Sequence, residues 1–236
     1  MTVTFGCIGD LHGHSDRLNQ VIDWLTGRPL AAALFVGDFA RGPLNPPNER
    51  IDESLVASAL ESAQRLGVPL LFVPGNHDQR RQAVAGNVDG TCQIIEGVCV
   101  AGIGGAGPAH FGFPYEWSED EIRQRRIPRP DILLSHAPPA RTTLDVLSGT
   151  SHHAGSEAVR ELAETMSGVL VCGHIHEGVG VEIINQCLCY NAGSLGEPHG
   201  RLQVGILEFG PNAADLTHYD LEAGSSWSAS LSRTPL

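Results

Sequence analysis

The sequence predicts an α/β fold, and three observations lead to that class. Short apolar segments of strand length alternate with amphipathic helical segments through the first two thirds of the 236 residues. Hydrophobic residues make up 42% of the chain and charged residues 18%, a balance typical of a folded protein with a buried core. No apolar run approaches the ~20 residues that a membrane-spanning helix needs. The chain is therefore expected to build a sheet of parallel strands joined by crossover helices.

The first third of the chain supplies three predicted strands and two predicted helices. Val3 to Gly9 predicts a strand, and apolar side chains with helical spacing follow from Asp16 to Leu25. Ala31 to Val36 predicts a buried strand, Ser54 to Leu66 an amphipathic helix, and Val68 to Val73 a third strand. This βαβαβ order is typical of parallel strands with crossover helices.

The remainder of the chain is richer in strands. Thr91 to Ile103 predicts two short strands, and a Gly-rich and aromatic loop from Gly104 to Trp117 follows, long enough to indicate a function. A helix is predicted from about Ser156 to Met166. The other predicted strands are Ile132 to Leu134, Val169 to Cys172, Val179 to Ile184, Gln186 to Tyr190, Leu202 to Phe209 and Asp215 to Tyr219.

The chain is expected to form one domain, because no internal repeat and no long linker divides it. We place this domain over residues 1–221 and expect a loosely held, Ser-rich tail over residues 222–236. Met1 to Gly9 lacks the charged segment and cleavage site of a signal peptide, which predicts a cytoplasmic location.

The charged residues exclude several classes of function. All 15 basic residues are Arg, so the chain has no P-loop lysine, Schiff-base lysine or kinase lysine. With 27 acidic residues the formal net charge is −12, which opposes a nucleic-acid-coating role. A local arginine is still able to bind one phosphate group.

Polar side chains of the kinds that bind metals follow five of the predicted strands. Because the carboxyl ends of parallel strands meet at one crevice, we expect these side chains to share a pocket. Their carboxylate, carboxamide and imidazole groups form an N/O donor set suited to Mn, Fe or Zn. The five segments are Gly9-Asp10-Leu11-His12-Gly13, Gly37-Asp38-Phe39-Ala40-Arg41, Gly75-Asn76-His77-Asp78, Ser135-His136-Ala137 and Gly173-His174-Ile175-His176.

The ordered set D-x-H, G-D-x-x-R, G-N-H-D, H and G-H-x-H resembles the calcineurin-like metallophosphoesterase superfamily. It extends from Gly9 to His176, and Asn191 to Ser194 is similar to the trailing N-x-G-S element of that superfamily. Each piece recurs by chance, whereas five pieces in this order, each after a predicted strand, form a specific signal. The resemblance implies a four-layer α/β/β/α sandwich, in which helices flank two mixed β-sheets, and a site for two transition metal ions (Mn, Fe or Zn).

The resemblance also implies a role for each matching residue. The implied metal ligands are Asp10, His12 and His176 for the first ion, Asp38 for both ions, and Asn76, His136 and His174 for the second ion. His77 matches the histidine that contacts the phosphate and protonates the leaving group, while a hydroxide held between the ions attacks phosphorus.

The chain departs from the phosphoprotein phosphatase branch of the superfamily. That branch has G-D-x-x-D-R-G, in which the second Asp orients the catalytic His, whereas Gly37 to Gly42 reads G-D-F-A-R-G. This difference argues against protein phosphatase activity and leaves open what orients His77. The G-N-H-D form and the run from His136 to Pro139 resemble the small bacterial Icc-related and class III phosphodiesterase-like members.

Each candidate also has a purely structural explanation. Asp10 and Asp38 are residue types that cap helices or form turns, and Asn76 is a common turn residue. Histidines at strand ends are also found as hydrogen-bonded core residues. Arg41 and Arg141 are candidates to clamp a phosphate, but surface salt bridges explain them equally well.

The expected function is the hydrolysis of small phosphodiesters, with His77, Asp38 and Arg41 as the catalytic residues. Without lysine and with an acidic balance, the chain is poorly suited to a dianionic monoester. We expect the loop aromatics Phe111, Phe113, Tyr115 and Trp117 to stack on a base or another apolar leaving group. The expected partner is a small phosphate ester, rather than a membrane or a nucleic acid. Two alternatives stay open, a broad phosphomonoesterase and a catalytically weak metal-binding scaffold for a partner protein.

Overall fold

The computed structural model describes residues 1–41, 49–80, 84–108 and 111–233, with only the backbone described over 49–52. Two six-stranded sheets form in this part of the chain. None of the helices found there is both long and apolar enough to cross a membrane.

The first sheet is built on the βαβαβ unit that the sequence predicts. Strand β2 pairs in parallel with β1 on one side and with β3 on the other. The elements are β1 (Val3–Ile8), α1 (Ser15–Leu25), β2 (Ala32–Phe35), α2 (Glu49–Gln64) and β3 (Leu70–Phe72).

The second sheet contains the middle of the chain and has a parallel centre with antiparallel edges. Its spatial order is β4-β5-β6-β7-β9-β8, with the parallel pairs β5–β6, β6–β7 and β7–β9. The strands are β4 (Cys92–Ile95), β5 (Val98–Ile103), β6 (Ile132–Ser135), β7 (Ser167–Cys172), β8 (Gly180–Ile184) and β9 (Gln186–Asn191), and the helices are α3 (Glu119–Gln124) and α4 (Glu157–Thr165).

Three antiparallel strands at the end of the described chain complete the first sheet. They are β10 (Gln203–Phe209), β11 (Ala213–Asp220) and β12 (Ser225–Ser232), and the sheet order is β12-β11-β10-β1-β2-β3. The expectation of a loose tail from residue 222 does not agree with this arrangement, because β12 pairs with β11 along its whole length. Backbone pairing holds this strand, and its mostly exposed side chains give no hydrophobic signal in the sequence. The domain limits 1–221 stay a prediction.

The two sheets pack face to face, and helices cover both outer surfaces. One core cluster joins Phe5 and Leu34 of the first sheet to Leu134 and Leu188 of the second. A second cluster packs α1 and α2 on the first sheet, and a third packs α3 and α4 on the other sheet. The predicted four-layer α/β/β/α sandwich is therefore confirmed.

Candidate metal centre

The polar segments predicted to converge lie together at the carboxyl ends of β1, β2, β3, β6 and β7. They border a cleft of about 600 Å³ that includes His77 and Arg41 in its lining. Asp10 and His136 lie fully buried behind the lining residues. All seven predicted metal ligands, which the sequence separates by up to 166 positions between Asp10 and His176, are thus in one place.

Glycines allow the carboxylates to approach the backbone of neighbouring turns. A Cβ atom at Gly75 would overlap the Oδ1 atom of Asp38, and one at Gly173 would overlap the Oδ1 atom of Asp10. A larger residue at either position would push a predicted ligand out of the centre.

Asp10, His12 and His176 form the first group of potential ligands. Their ligand atoms all lie within 4.8 Å of one another. The Nε2 atoms of His12 and His176 are 3.0 Å apart, and the His176 Nε2 atom lies 3.2 Å from Asp10 Oδ2.

Asp38, His136 and His174 form the second group, also within 4.8 Å. The His136 Nε2 atom lies 2.9 Å from Oδ1 of Asn76 and 3.5 Å from Oδ2 of Asp38. The same Asp38 Oδ2 atom is 3.5 Å from His12 Nε2 of the first group. Asp38 thus lies close to both groups, which is the position that a ligand shared by two ions requires.

Backbone carbonyl groups fix the orientation of three of the imidazole rings. The Nδ1 atoms of His12, His136 and His176 lie 3.1, 2.7 and 2.6 Å from the carbonyl oxygens of Ala40, Val36 and Pro198. Because a carbonyl oxygen only accepts, each Nδ1 carries a proton, and each ring directs its Nε2 atom into the centre. Such an arrangement is typical of metal-binding histidines.

The donor atoms of the centre fit metal ions. The Oδ1 atom of Asp10 is buried and has no hydrogen-bond partner among the described residues. Two Nε2 lone pairs facing each other at 3.0 Å, beside an unpaired carboxylate oxygen, are costly unless a proton or cation lies between them. The mixed imidazole, carboxylate and carboxamide set suits transition metals such as Mn, Fe or Zn.

The electrostatics of the centre are dominated by burial and by close charge partners. Burial alone would raise the pKa of Asp38, but the nearby rings of His136, His77 and His12 hold that pKa well below its ordinary value. Burial lowers the pKa of His174 to about 3. Burial opposes protonation of His176 as well, yet its hydrogen bond with Asp10 raises its pKa to about 9.

Asp78 supports the centre in a way that the sequence analysis missed. Its buried carboxylate accepts the N–H groups of Phe39, Ala40 and Gly75 at 3.1, 3.0 and 2.8 Å, joining the turns after β2 and β3. Burial, together with the charge of Asp38, raises the pKa of Asp78 to about 7. The signal in the sequence is the final letter of G-N-H-D, to which the resemblance assigned no role.

Asn191, from the predicted N-x-G-S element, has a similar supporting role. Its Nδ2 atom donates to the carbonyl oxygens of Gly173 and Ile175, at 3.3 and 2.9 Å, and to that of Leu144 at 3.1 Å. It thereby fixes the turn that carries His174 and His176 without entering the centre.

His77 lies at the edge of the centre and lines the cleft. Its backbone N–H donates to Asp38 Oδ1 at 3.0 Å, and its Nε2 atom is 3.8 Å from Asp38 Oδ2. Its Nδ1 atom is buried and lacks a hydrogen-bond partner within the described part of the chain. The ring packs against that of His12, with centroids 5.1 Å apart, and against that of Phe113, with centroids 4.4 Å apart.

The two candidate arginines have different surroundings. Arg41 lines the cleft. Arg141 is not among the lining residues, and its exposed guanidinium donates to Glu157 at 2.8 Å. The salt-bridge explanation therefore describes Arg141 better than the phosphate-binding one.

Of the four aromatic side chains singled out in the loop, one lines the cleft. Phe113 lines the cleft, whereas the side chain of Phe111 is 79% exposed and lies outside the lining. The expectation that Tyr115 and Trp117 stack on a ligand is wrong, because both are buried in the core behind α3. Their polar atoms are satisfied internally, by Asp89 for the Tyr115 hydroxyl and by the carbonyl of Gly104 for the Trp117 indole. Residues 109–110 of this loop lie outside the described residues.

Comparison with known sequences identifies a family that covers most of the chain. A model of the calcineurin-like phosphoesterase family matches residues 3–178. An uncharacterised protein of Methanocaldococcus jannaschii is 31% identical over 136 residues, which is 52% of this chain and 62% of that protein. The match thus covers less than two thirds of that relative.

Solved structures show the same fold at low sequence identity. A dimetal phosphatase from Danio rerio is similar over 98% of this chain and 99% of its own, with a TM-score of 0.69 and 12% identity. A protein of Thermus thermophilus is similar over 97% and 99% of the two chains, with a TM-score of 0.58 and 16% identity.

Proposed function

This chain belongs to the calcineurin-like phosphoesterase family, and from that premise we propose that it hydrolyses small phosphodiesters with two bound transition metal ions. The observation that carries the proposal is the position of Asp38. One oxygen of this carboxylate lies 3.5 Å from the Nε2 atom of His12 in one ligand group and 3.5 Å from that of His136 in the other. A shared carboxylate is the feature that distinguishes a two-metal centre from two separate sites.

Each ion has a set of ligands in the proposed centre. Asp10, His12 and His176 would hold the first ion, Asn76, His136 and His174 the second, and Asp38 both. When bound, such a pair of cations stabilises negative charge on the phosphoryl group and supplies a nucleophile from water at neutral pH. Mn, Fe and Zn are the ions that this donor set favours.

His77 is the proposed general acid. Like His14, it lines the cleft without being one of the seven proposed ligands. Its Nε2 atom lies 3.8 Å from Asp38 Oδ2, and its ligand atom is within 4.8 Å of those of His12 and Asp38. A proton on its ring can pass to the departing alkoxide oxygen, a step that typically contributes ~10²–10⁴-fold to the rate. Arg41 also lines the cleft, and its guanidinium is the proposed donor to a phosphoryl oxygen.

The charge of the cleft supports a diester as the preferred substrate. Within the described residues, Arg41 is the one arginine in the cleft lining, and Glu177 and Glu197 also line it. The net charge of −12 adds to the unfavourable potential for a dianion. A monoanionic diester requires less positive charge than a dianionic monoester.

The cleft lining also contains apolar side chains, which suit an apolar leaving group. They are Phe113, Leu147, Ile175 and Pro198. An aromatic side chain beside aliphatic ones is a common setting for a planar apolar ligand group. We therefore favour small nucleotide-type or aryl diesters, and of the loop aromatics only Phe113 keeps its proposed contact with substrate.

Two other functions are compatible with the same fold. A broad phosphomonoesterase would use the same centre, with Arg41 as the main additional cation. A metal-binding scaffold for a partner protein would keep the ligands, but it would have no use for His77 in the cleft. The cytoplasmic location and the absence of membrane and nucleic-acid partners stay predictions.

A substrate panel tests the proposed function. Protein loaded with Mn is assayed under identical conditions with an aryl phosphodiester, the matching aryl monoester and cyclic nucleotides. We expect the highest kcat/KM for a diester. A clear preference for the monoester would make the monoesterase the better assignment, and no hydrolysis of any member would favour the scaffold.

A further inference from the structure

Within the described residues, the side chain of His77 has no hydrogen bond of the kind that usually orients a catalytic imidazole. Its buried Nδ1 atom has no partner within the described residues, and its Nε2 atom is 3.8 Å from a carboxylate oxygen of Asp38, which is beyond hydrogen-bond distance. A general acid must nevertheless be held close to one orientation, because small displacements of a reacting group cost rate. The ring instead contacts two other rings, those of His12 and Phe113.

The backbone that presents Phe113 is held by a single carboxylate. Glu116 accepts the N–H groups of Phe111, Gly112 and Phe113 at 2.7, 2.9 and 3.2 Å. Three consecutive N–H groups bound to one side chain fix the direction in which this turn projects its side chains.

The same loop is attached to the turn that carries His77. The backbone N–H of Tyr115 donates to the carbonyl oxygen of Asn76 at 3.1 Å. The buried side chains of Tyr115 and Trp117 anchor the loop in the core. Phe113 and His77 therefore belong to two segments that are hydrogen-bonded to each other, and the distance between their rings is fixed on both sides.

We infer that Phe113, presented by Glu116, is a positioning residue for His77. The inference rests on the proposed function, since it assigns a partner to the proposed general acid. The ring of Phe113 packs at 43° to the imidazole, with centroids 4.4 Å apart, and restricts its rotation. By packing against the imidazole, the ring of Phe113 takes the orienting role that the second Asp of G-D-x-x-D-R-G has in the phosphatase branch. It adds no negative charge beside the centre.

Variants of the loop separate this role from simple contact with substrate. Phe113→Leu keeps an apolar side chain but removes the flat ring, and Phe113→Tyr restores the ring. Phe111→Leu is the comparison within the same turn, because Phe111 is 79% exposed, does not line the cleft and meets the edge of Phe113 with ring centroids 6.4 Å apart. Each is assayed with one diester that releases a phenolate and one that releases an alkoxide.

A positioning role predicts a loss that depends on the leaving group. For Phe113→Leu we expect kcat to fall about 10-fold with the alkoxide diester and only about 2-fold with the phenolate diester, which needs little protonation. Phe113→Tyr should recover most of the loss, and Phe111→Leu should resemble the wild type. In a His77→Ala background, Phe113→Leu should cause no further loss in kcat, because the two changes remove the same contribution. Equal losses for both substrates, or full additivity with His77→Ala, would overturn the inference.

Crystal structures of the same variants give a readout that needs no activity. The imidazole of His77 should occupy one orientation in the wild type and in Phe111→Leu, and more than one in Phe113→Leu. If the wild type hydrolyses no phosphoester but the ring still loses its single orientation, the proposed function fails and the positioning role stands. If hydrolysis is observed and the ring of Phe113→Leu stays in place, the positioning role fails alone.

Discussion

The Nε2 atoms of His12 and His176 face each other at 3.0 Å, while both Nδ1 atoms are engaged by backbone carbonyl groups. Both rings are therefore held with their Nε2 atoms directed to one point. Asp10, whose Oδ1 atom is buried without a hydrogen-bond partner among the described residues, lies next to this pair. A cation at this point would relieve both unfavourable contacts, and it should therefore bind tightly to the folded chain.

Adding metal to chelator-treated protein should stabilise the fold. A ligand that binds only the native state stabilises it by about 2.7 kcal/mol when its concentration is 100 times Kd. We expect Mn or Zn to raise the Tm of the wild type and of the control His152→Gln, an exposed histidine outside the cleft. The rise should be much smaller in His12→Gln, and an unchanged rise in that variant would remove His12 from the ligand set.

Replacing His77 should slow the hydrolysis of some substrates more than that of others, according to their leaving groups. For His77→Ala we expect a loss of ~10²–10⁴-fold in kcat with an alkoxide leaving group, and a clearly smaller loss with an activated phenolate. The rates are compared for two diesters that differ only in the departing group. Equal losses would indicate phosphate binding or a structural defect in place of proton donation.

Asp78 should contribute to stability through its three backbone N–H bonds. In Asp78→Asn, one of the two carboxylate oxygens becomes an NH2 group, which cannot accept a hydrogen bond from the backbone. At least one of the three backbone N–H groups is then buried without a hydrogen bond. The expected cost is about 1–3 kcal/mol in the free energy of unfolding, measured by urea denaturation. The exposed Asp120 provides the control, since Asp120→Asn should change stability by less than about 0.5 kcal/mol. Equal stabilities of the two variants would contradict the supporting role of Asp78.

His218 should make stability depend on pH below neutrality. Burial lowers its pKa from 6.5 to about 4, and its ring stacks on Trp227 and hydrogen-bonds with the hydroxyl of Tyr190. In the unfolded chain the imidazole of His218 takes up a proton as the pH falls through 6.5, whereas in the folded chain it stays neutral until about pH 4. The stabilisation is therefore complete above pH 6.5 and is lost as the pH falls towards 4, by at most about 1.4 kcal/mol per pH unit.

Variants isolate this contribution from those of other groups. Urea denaturation at pH 7.5 and pH 5 should show a smaller loss of stability for His218→Gln than for the wild type. His152→Gln, exposed on a loop, should keep the slope of the wild type. An identical slope in all three proteins would contradict the role of His218.

The sequence predicted which polar side chains come together because its signals are local. Asp10, Asp38 and His136 each follow a buried apolar strand, and parallel strands necessarily bring their carboxyl ends together. The βαβαβ unit was predictable for the same reason, since apolar spacing within each segment reports which face is buried.

The features that the sequence did not reveal depend on contacts between distant segments. β12 is held by pairing with β11 and buries few side chains, so no apolar pattern marks it. Tyr115 and Trp117 lie in a loop without periodicity, and only the folded chain shows that they enter the core. The role of Asp78 consists of hydrogen bonds to backbone groups, two of them 38 and 39 positions away.

The metal content of the purified protein tests the central claim most directly. Among the three groups of potential ligand atoms in the described residues, the two that share no residue predict a pair of ions in each chain, and Asp38 lies close to both. Elemental analysis of protein purified without chelator should find close to two equivalents of Mn, Fe or Zn per chain, and Asp38→Asn should lose both metal and turnover by a large factor. One equivalent or none in fully active wild-type protein, or normal metal content and activity in Asp38→Asn, would contradict a two-metal centre bridged by Asp38.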